Sequence, residues 1–340
     1  MTPTLPASQI HLHNSSATQA KRAYIIYFIT GNPGLIEYYR TFLTHLYGLL
    51  TQDSPYSTAY HVFGRSLSGF QASAEKERDD QPPVSLQEQI TRSQFVLEDL
   101  VRDVKEKHGL RDVRVILMGH SVGSYILLEL LRKVREKAKV EIEAVKIAGG
   151  VCLFPTVTHI AKSDSGRKAT PLLTLPSFPL VASLLAKALT FFIPLSAFTF
   201  LVRTVMSFPA DAAHVTASFV KSPHGVHQAL HMARDEMREI TIDTWDDEIW
   251  GLTTPTAHPQ PRPILRFLFA KKDHWVAAET RDELIRARGS QEEGEETWKP
   301  IMEIDEEEGW VHGFCIRQSV PVAKRVFGYV QEIIQRDLQQ

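Results

Sequence analysis

Short runs of apolar, strand-favouring residues recur along the chain and alternate with longer stretches of helical periodicity. The runs occupy residues 23–29, 60–63, 113–118, 145–151 and 264–269. Strands that are apolar on both faces and alternate with helices are typical of a mostly parallel sheet covered on both sides. The pattern therefore predicts the α/β class.

Between these runs, apolar residues recur at spacings of three and four, which predicts helices over residues 38–50, 86–107 and 320–338. The second of these helices is expected to bury one stripe of side chains. That stripe consists of Ile90, Phe95, Val96, Leu100 and Val104. Two polar stretches, 68–83 and 286–296, are rich in charge, Gly or Pro, so we expect them to be mobile, solvated loops.

Residues 169–202 form the most apolar segment, in which Lys187 is the only charged residue. The segment is long enough to cross a bilayer, which takes roughly 20 apolar residues. Four prolines and the central charge nevertheless disfavour a straight span. These prolines are Pro171, Pro176, Pro179 and Pro194. Two short helices that meet near Lys187 are expected instead, either inserted into a lipid surface, the favoured alternative, or folded as a lid over an apolar cleft.

Length and composition narrow the class of protein. The 340 residues favour one large domain with an insertion, and 43% hydrophobic residues are typical of a globular chain. The 38 basic and 40 acidic residues leave a net charge of -2, so nucleic acid is not an expected partner. Cys152 and Cys315 form no CxxC pair, and residues 1–16 lack the pattern of a secretory signal, which predicts a protein on the cytosolic side.

The strongest chemical signal is the sequence Gly119-His120-Ser121-Val122-Gly123, between an apolar strand and the helical stretch SYILLELLRKV. A GxSxG sequence at a strand-to-helix turn lifts the serine above the sheet edge, and small glycines permit the sharp turn. Ser121 is thus the candidate nucleophile. The N–H of Val122, at the start of the helix, is the candidate donor for an oxyanion.

A second oxyanion donor is expected from a loop that follows an earlier strand. The first strand is followed at once by Gly31-Asn32-Pro33-Gly34, where two glycines allow the backbone to approach a substrate closely. Asn32 is the candidate donor. The alternative is an ordinary turn between a strand and a helix.

A serine nucleophile needs a histidine to accept its proton and an acid to orient that histidine. In chain order the acid follows the serine and the histidine comes last. Asp273 lies just after the strand 264–269, and His312 lies in a loop before the final helix. The pattern predicts these two as acid and base. His274 is a rival base, and the alternative acids are Asp246, Asp247 and Asp305.

Other candidate features are weaker. Three histidines, His224, His227 and His231, share one helix face, but no further ligand converges on them, so neither a metal nor another cofactor is predicted. Tyr38 and Tyr39 follow the 31–34 loop and could line an acyl pocket, although aromatic residues at the start of a helix are more typical of a core.

Four of these motifs resemble the lipid droplet-associated hydrolase family, a branch of the α/β-hydrolase superfamily. They are GNPGLIEYY at 31–39, GHSVGSY at 119–125, KKDHWV at 271–276 and VHGF at 311–314. The resemblance implies an α/β-hydrolase fold with Ser121 as nucleophile, Asp273 as acid and His312 as base. It also implies that residues 169–202 associate with lipid droplets and with the endoplasmic reticulum membrane at its cytosolic face.

These expectations divide the chain into three parts. Residues 1–154 and 262–340 are predicted to form the hydrolase core, and residues 155–261 an apolar helical cap or lipid-association insertion between the sixth and seventh strands. The expected function is hydrolysis of lipid esters through a Ser-His-Asp triad and an acyl-enzyme, in lipid storage and metabolism. The alternatives are a lipid-droplet protein with little catalytic activity and an acyltransferase, since both transfer and hydrolysis pass through the acyl-enzyme.

Overall fold

The computed structural model describes residues 8–13, 20–52, 58–70, 83–141, 144–251, 262–290 and 299–339. Their strands form one sheet in the order β1-β3-β2-β4-β5-β6-β7. The strands are β1 Gln9–His13, β2 Arg22–Ile29, β3 Thr58–Arg65, β4 Asp112–His120, β5 Lys146–Leu153, β6 Ile264–Ala270 and β7 Ile301–Asp305. Only the β1–β3 pair of this sheet is antiparallel. The predicted α/β class with a mostly parallel sheet is confirmed.

Helices cover both faces of the sheet. In the described residues they are α1 Arg40–Gln52, α2 Leu86–His108, α3 Val122–Ala138, α4 Asp164–Leu173, α5 Phe178–Thr190, α6 Leu195–Met206, α7 Ala210–Lys221, α8 Gly225–Glu239, α9 Ala278–Arg288 and α10 Ser319–Gln339. A 3₁₀ turn, Ile36–Tyr39, precedes α1. Helix α2 begins at a capping box formed by Ser85 and Glu88 and ends at Gly109, whose φ of 62° suits a residue without a Cβ.

Successive strand residues belong to different cores, which explains why the central strands are apolar throughout. On β2, Ile25 packs in the core beneath α2 and α3, while Ile26 packs in the core beneath α1 and α10. Side chains of a strand alternate between the two faces of a sheet, so a sheet with helices on both sides leaves no face for water.

Two details of the sequence prediction were wrong. Strands β1 and β7 were not predicted, because each has only five residues, QIHLH and IMEID, with polar positions among them, and each pairs at one edge of the sheet. The predicted buried stripe of α2 included Phe95, but Phe95 is 67% exposed. Leu97, two residues further along the helix, is the buried residue at this turn.

The two polar stretches differ from the prediction where the structure describes them. Residues 68–70 are buried, with Phe70 packed in the core, and residues 286–288 are the last turn of α9. The remainder of these stretches, at 71–82 and 291–296, lies outside the described residues.

Helices α4 to α8 form the region predicted as a cap, and we refer to them as the cap helices. They follow β5 and precede β6 among the described strands, whereas the sequence prediction counted six strands before the cap. The predicted end of the cap at residue 261 lies outside the described residues. The break between the two apolar helices α5 and α6 falls at 191–194, one turn after Lys187, where Pro194 precedes α6.

The described helices were compared with the length and hydropathy that a membrane span requires. No single one of them is long and apolar enough to cross a membrane. Helices α4 and α5 meet the requirement only when taken together, and the chain bends by 95° between them.

Candidate active site

Ser121 sits at a sharp turn between β4 and α3. Its φ of 55° and ψ of -124° lie in a region that side-chain-bearing residues rarely adopt, and such strain persists only where the surroundings impose it. The Ser121 N–H donates to the carbonyl of Leu153 on β5 at 3.0 Å, and the Ser121 carbonyl accepts from Ser124 N–H at 2.9 Å. The turn is therefore fixed from both sides.

The two glycines that flank Ser121 are required by close backbone approach. A Cβ at Gly119 would lie 2.3 Å from the carbonyl oxygen of Gly123, and one at Gly123 would lie 2.4 Å from that of Ile29 on β2. Both neighbours are backbone atoms, which cannot turn away as a side chain can. The spacing GxSxG thus follows from packing of the turn against β2.

Three sequence-predicted side chains meet at this turn. The Nε2 atom of His312 lies 3.0 Å from the Oγ atom of Ser121, and His312 Nδ1 lies 2.7 Å from Asp273 Oδ2. A second oxygen of Asp273 accepts the N–H of Trp275 at 2.8 Å. The three residues converge because β4, β6 and β7 are parallel, so the loops that follow them lie at the same edge of the sheet.

The environment of Asp273 favours its ionised form. Burial alone would raise the pKa of this carboxyl, but the hydrogen bond and charge of His312 outweigh burial and hold the pKa below its ordinary value. An ionised Asp273 fixes the proton of His312 on Nδ1 and leaves Nε2 free to accept the proton of Ser121.

The rival acids and the rival histidine have other contacts. Asp305 accepts the N–H groups of Glu308 and Trp310 and so shapes the loop that carries His312, while Asp247 pairs with Arg288 at 2.6 Å. Asp246 accepts the N–H of Ile249 through its backbone carbonyl. The ring of His274 lies 6.0 Å from that of His312, and its carbonyl accepts the N–H of Ser165 at the start of α4.

Two backbone donors flank the serine. The N–H groups of Asn32 and Val122 donate to no acceptor within the described part of the chain. The other residues of the 31–34 loop determine its shape: Gly34 packs too close to Leu67 for a Cβ, and the carbonyl of Pro33 accepts Leu35 N–H at 2.9 Å. Unpaired N–H groups at this position are available to stabilise an oxyanion.

The Asn32 side chain has a role that the sequence did not indicate. Its Nδ2 atom donates to the Ala229 carbonyl at 3.0 Å and to Glu236 Oε1 at 2.8 Å, both on cap helix α8. Glu236 is buried, and burial raises its pKa to about 8, so it is predominantly neutral at pH 7. Sequence analysis missed Glu236 because it lies in an ordinary amphipathic helix with no motif around it.

The cap helices also form hydrogen bonds with the other loops of the site. Arg317, just after the His312 loop, donates to the carbonyl of Ser207 at 2.6 Å, at the end of α6. The Tyr38 hydroxyl pairs with that of Thr216 on α7 at 2.7 Å. With the Ser165 and Asn32 bonds, the cap thus contacts the loops of the candidate acid, base and oxyanion donor.

Of the three histidines at and after the start of α8, His231 has side-chain partners on its own helix. His231 accepts a hydrogen bond from Arg234 at 2.9 Å and lies 3.6 Å from Asp235. Across the part of the chain that the structure describes, no group of three or more His, Cys, Asp or Glu residues is arranged to hold a metal ion. Cys152 and Cys315 are both free thiols.

The sheet order and the serine turn after β4 define the class of protein, the α/β-hydrolases. Two solved structures from Saccharomyces cerevisiae support this fold at 12% identity each. A soluble variant of monoglyceride lipase aligns with a TM-score of 0.52 over 98% of this chain and 97% of its own. A peroxisomal α/β-hydrolase aligns with a TM-score of 0.59 over 98% of this chain and 86% of its own. The predicted fold is confirmed.

The family follows from sequence comparison. The family model described as lipid-droplet associated hydrolase matches residues 22–315, so the chain belongs to this family and the predicted resemblance is confirmed. The lipid droplet-associated hydrolase of Gallus gallus is 29% identical over 216 residues. That alignment spans 62% of this chain and 61% of the relative's length, less than two thirds of either.

Proposed function

We propose that the protein is a serine carboxylic-ester hydrolase. The observation that carries the proposal is the series of hydrogen bonds from Ser121 through His312 to Asp273, beside two backbone N–H groups that have no acceptor among the described residues. Serine alone is a weak nucleophile, and this order of groups is the one that activates it. Membership of a hydrolase family supports the same conclusion.

The proposed reaction has two halves. Ser121 Oγ attacks the ester carbonyl carbon as its proton passes to His312 Nε2, and the N–H groups of Asn32 and Val122 stabilise the oxyanion. The tetrahedral intermediate then expels the alcohol, which takes the proton from His312, and leaves an acyl group on Ser121. Water repeats the sequence, releasing the carboxylic acid and restoring the serine. These steps use only the side chains and amides of this chain.

The substrate class that we propose is a lipid ester at a lipid surface. Support comes from the outer side of α4, α5 and α6, which carries large apolar side chains exposed to solvent. The most exposed are Leu189, Phe191, Phe192, Phe200 and Val205. An apolar patch of this kind is typical of contact with a membrane or another apolar surface. The family name points to lipid droplets as the lipid surface, and the cytosolic face of the endoplasmic reticulum membrane is the second surface that we propose.

Fluorophosphonate labelling tests the chemistry without requiring the natural substrate. We expect native protein to be labelled at Ser121, in detergent and in a lipid emulsion, and Ser121→Ala to remain unlabelled. Ser93→Ala is the matched control, because it removes a buried serine of α2 outside the site. Folded native protein that resists labelling under both conditions would contradict an activated serine.

A second function is favoured by the exposed apolar surface itself. The chain would then act at lipid droplets mainly by binding lipid, with little turnover. Ser121→Ala should in that case keep its full effect on lipid storage in cells. Loss of that effect in a variant that still reaches droplets would contradict the binding role. An added alcohol acceptor distinguishes acyl transfer, because transfer forms a new ester where hydrolysis forms an acid.

A further inference from the structure

A buried chain of hydrogen bonds lies behind the candidate triad and takes no part in its proton transfers. The hydroxyl of Tyr39 lies 2.7 Å from His120 Nδ1, and His120 Nε2 lies 2.8 Å from the backbone carbonyl of His312. The N–H of Gly31 donates to the same Tyr39 oxygen at 3.2 Å. Tyr39 and His120 are both buried.

The His312 carbonyl fixes which group donates in each of these hydrogen bonds. A carbonyl oxygen only accepts, so His120 must carry a proton on Nε2 to bond to His312. In a neutral imidazole the other nitrogen, Nδ1, is then an acceptor, and Tyr39 must donate its hydroxyl proton to it. The Tyr39 oxygen keeps lone pairs, one of which accepts the Gly31 N–H. All three bonds are therefore satisfied in only one arrangement of protons.

The surroundings keep both side chains in the required protonation state. Burial, together with the charge of the neighbouring His312, lowers the pKa of His120 to about 3, although the bond to the His312 carbonyl and the charge of Asp273 act in the opposite direction. Burial, with the Cys315 thiol nearby, raises the pKa of Tyr39 well above its ordinary value. His120 thus stays neutral and Tyr39 stays protonated at neutral pH.

Aromatic rings close the space around His120. The ring of Phe314 meets it edge-on at 5.2 Å between centroids, and that of Phe154 at 6.2 Å. On the side of Gly31 the approach is equally close, because a Cβ at Gly31 would lie 2.9 Å from His120 Nδ1. Gly31 is needed here for contact with His120 as well as for access to substrate.

Each end of this chain of hydrogen bonds lies in, or next to, a residue of the proposed reaction. Gly31 precedes the oxyanion donor Asn32, His120 precedes Ser121, and the accepting carbonyl belongs to His312 itself. We propose that Tyr39 and His120 are positioning residues that fix the oxyanion loop, the nucleophile turn and the base loop relative to one another. This proposal rests on the proposed esterase function.

Kinetics of Tyr39→Phe test the proposal with p-nitrophenyl butyrate as the probe ester. Removing the hydroxyl leaves His120 Nδ1 without a donor and Gly31 N–H without an acceptor. We expect kcat to fall about tenfold or more while KM changes by less than about twofold, because misplaced groups stabilise the transition state less. Tyr27→Phe is the matched control, since it also removes a buried hydroxyl, bonded to the Ser93 carbonyl at 3.0 Å. Its kcat should stay within about twofold of native at a similar loss of melting temperature.

A double-mutant cycle separates a linked chain from independent packing effects. The Gln side chain in His120→Gln can still donate to the His312 carbonyl but offers no acceptor at the Nδ1 position. In that background Tyr39→Phe should cost clearly less in kcat than it does in native protein, because one of the two bonds it removes, the bond to His120, is already absent and only the bond from the Gly31 N–H remains to be lost. Independent, multiplicative losses, or a Tyr39→Phe enzyme with native kcat, would overturn the proposal.

Histidine NMR provides a readout that needs no turnover. In protein labelled with ¹⁵N at its 14 histidines, the His120 signals are those that His120→Gln removes. We expect a neutral ring with its proton on Nε2 throughout about pH 5 to 9, and a shift of the Nδ1 signal in Tyr39→Phe. A proton on Nδ1 would overturn the proposed chain. Native protein that fails to label with fluorophosphonate would contradict the esterase, and these spectra would still decide the hydrogen-bond chain.

Discussion

At the scale of single residues, the site holds two buried carboxyl groups in opposite protonation states. Asp273 faces His312, whose charge and hydrogen bond keep the carboxyl ionised. Glu236 faces the Asn32 amide and has the like charge of Asp235 nearby, so burial dominates and the carboxyl stays neutral to about pH 8. The difference arises because Asp273 receives hydrogen bonds from both His312 and the Trp275 N–H, whereas Glu236 receives one from the Asn32 amide, which compensates only in part for its lost hydration.

Substitution of Glu236 should change how stability depends on pH. The native carboxyl keeps its proton up to about pH 8, while the unfolded chain releases it near 4.5. Between these values the native state binds more protons, so its free energy of unfolding falls as pH rises, by on the order of 1 kcal/mol per pH unit. Glu236→Gln, which is always neutral, should lack this fall and be the more stable protein at pH 8.

Urea unfolding between pH 5 and pH 8 provides the measurement for Glu236→Gln. Glu239→Gln, near the end of the same helix, is the control for a general change of charge. An identical pH profile in native protein and Glu236→Gln would contradict a neutral Glu236.

Substitution of Asp273 should affect catalysis more than stability. Asp273→Asn keeps the size of the side chain, but the amide no longer fixes the His312 proton on Nδ1 or stabilises its cation. We expect the rate of fluorophosphonate labelling to fall about a thousandfold or more. Asp247→Asn, which removes a carboxylate paired with Arg288 at the surface, should label at the native rate. Equal labelling of Asp273→Asn and native protein would assign the acid to another residue.

At the scale of elements, the close contact between α3 and β2 sets the height of the serine turn. Gly123 brings the first turn of α3 against the Ile29 and Thr30 carbonyls, so Val122 starts the helix next to the end of β2. The position of the candidate oxyanion donor therefore depends on a helix-to-strand distance as well as on the turn itself.

Alanine substitutions at two glycines test this contact. In Gly123→Ala the Cβ would lie 2.4 Å from the Ile29 carbonyl oxygen, so α3 must move away from β2. We expect the free energy of unfolding to drop by about 1 to 3 kcal/mol and labelling of Ser121 to slow about tenfold. Gly48→Ala is the control, and its expected effect on stability has the opposite sign. Nothing lies within 4 Å of a Cβ at this position, so alanine should raise the free energy of unfolding by about 0.5 to 1 kcal/mol by stabilising α1. Native labelling by Gly123→Ala would show that the helix need not lie so close.

How much of the fold and of the candidate site could be predicted depended on whether neighbouring residues in the sequence marked the feature. Five strands, the main helices and the contacts among Ser121, Asp273 and His312 followed from periodicity and from motifs at strand ends. Edge strands β1 and β7 were missed because each is five residues long and has only two or three apolar positions, too few to mark a strand. Glu236 gave no local signal, and the motif that contains Tyr39 did not indicate its bond to His120. The partners of these two residues lie 204 and 81 residues away along the sequence, and only the folded topology brings them together.

At the scale of the whole molecule, the cap helices have two contrasting sides. Toward the core they bond to the loops of the candidate oxyanion donor, acid and base, and Ser121 is only 7% exposed. Away from the core, α5 and α6 present their apolar side chains to solvent. A lipid surface that binds this outer side would act on the same helices that are hydrogen-bonded to the loops of the site, so lipid binding and access to the serine are expected to be linked.

Substitution of Phe191 and Phe192 should separate lipid binding from chemistry. These side chains are 74% and 89% exposed at the end of α5, so serine at both positions removes apolar surface without leaving a cavity. In a flotation assay with artificial triglyceride droplets we expect binding to weaken about tenfold or more, since each buried phenyl ring contributes about 1.5 to 3 kcal/mol. Labelling of Ser121 in detergent should stay at the native rate. Adding droplets should speed up the labelling of native protein, because lipid binding is linked to access, and this increase should disappear in the double variant.

Phe95→Ser, at a similarly exposed phenylalanine of α2 outside the cap, is the control and should bind droplets and respond to them as the native protein does. Undiminished flotation of the double variant would place the lipid contact elsewhere on the molecule.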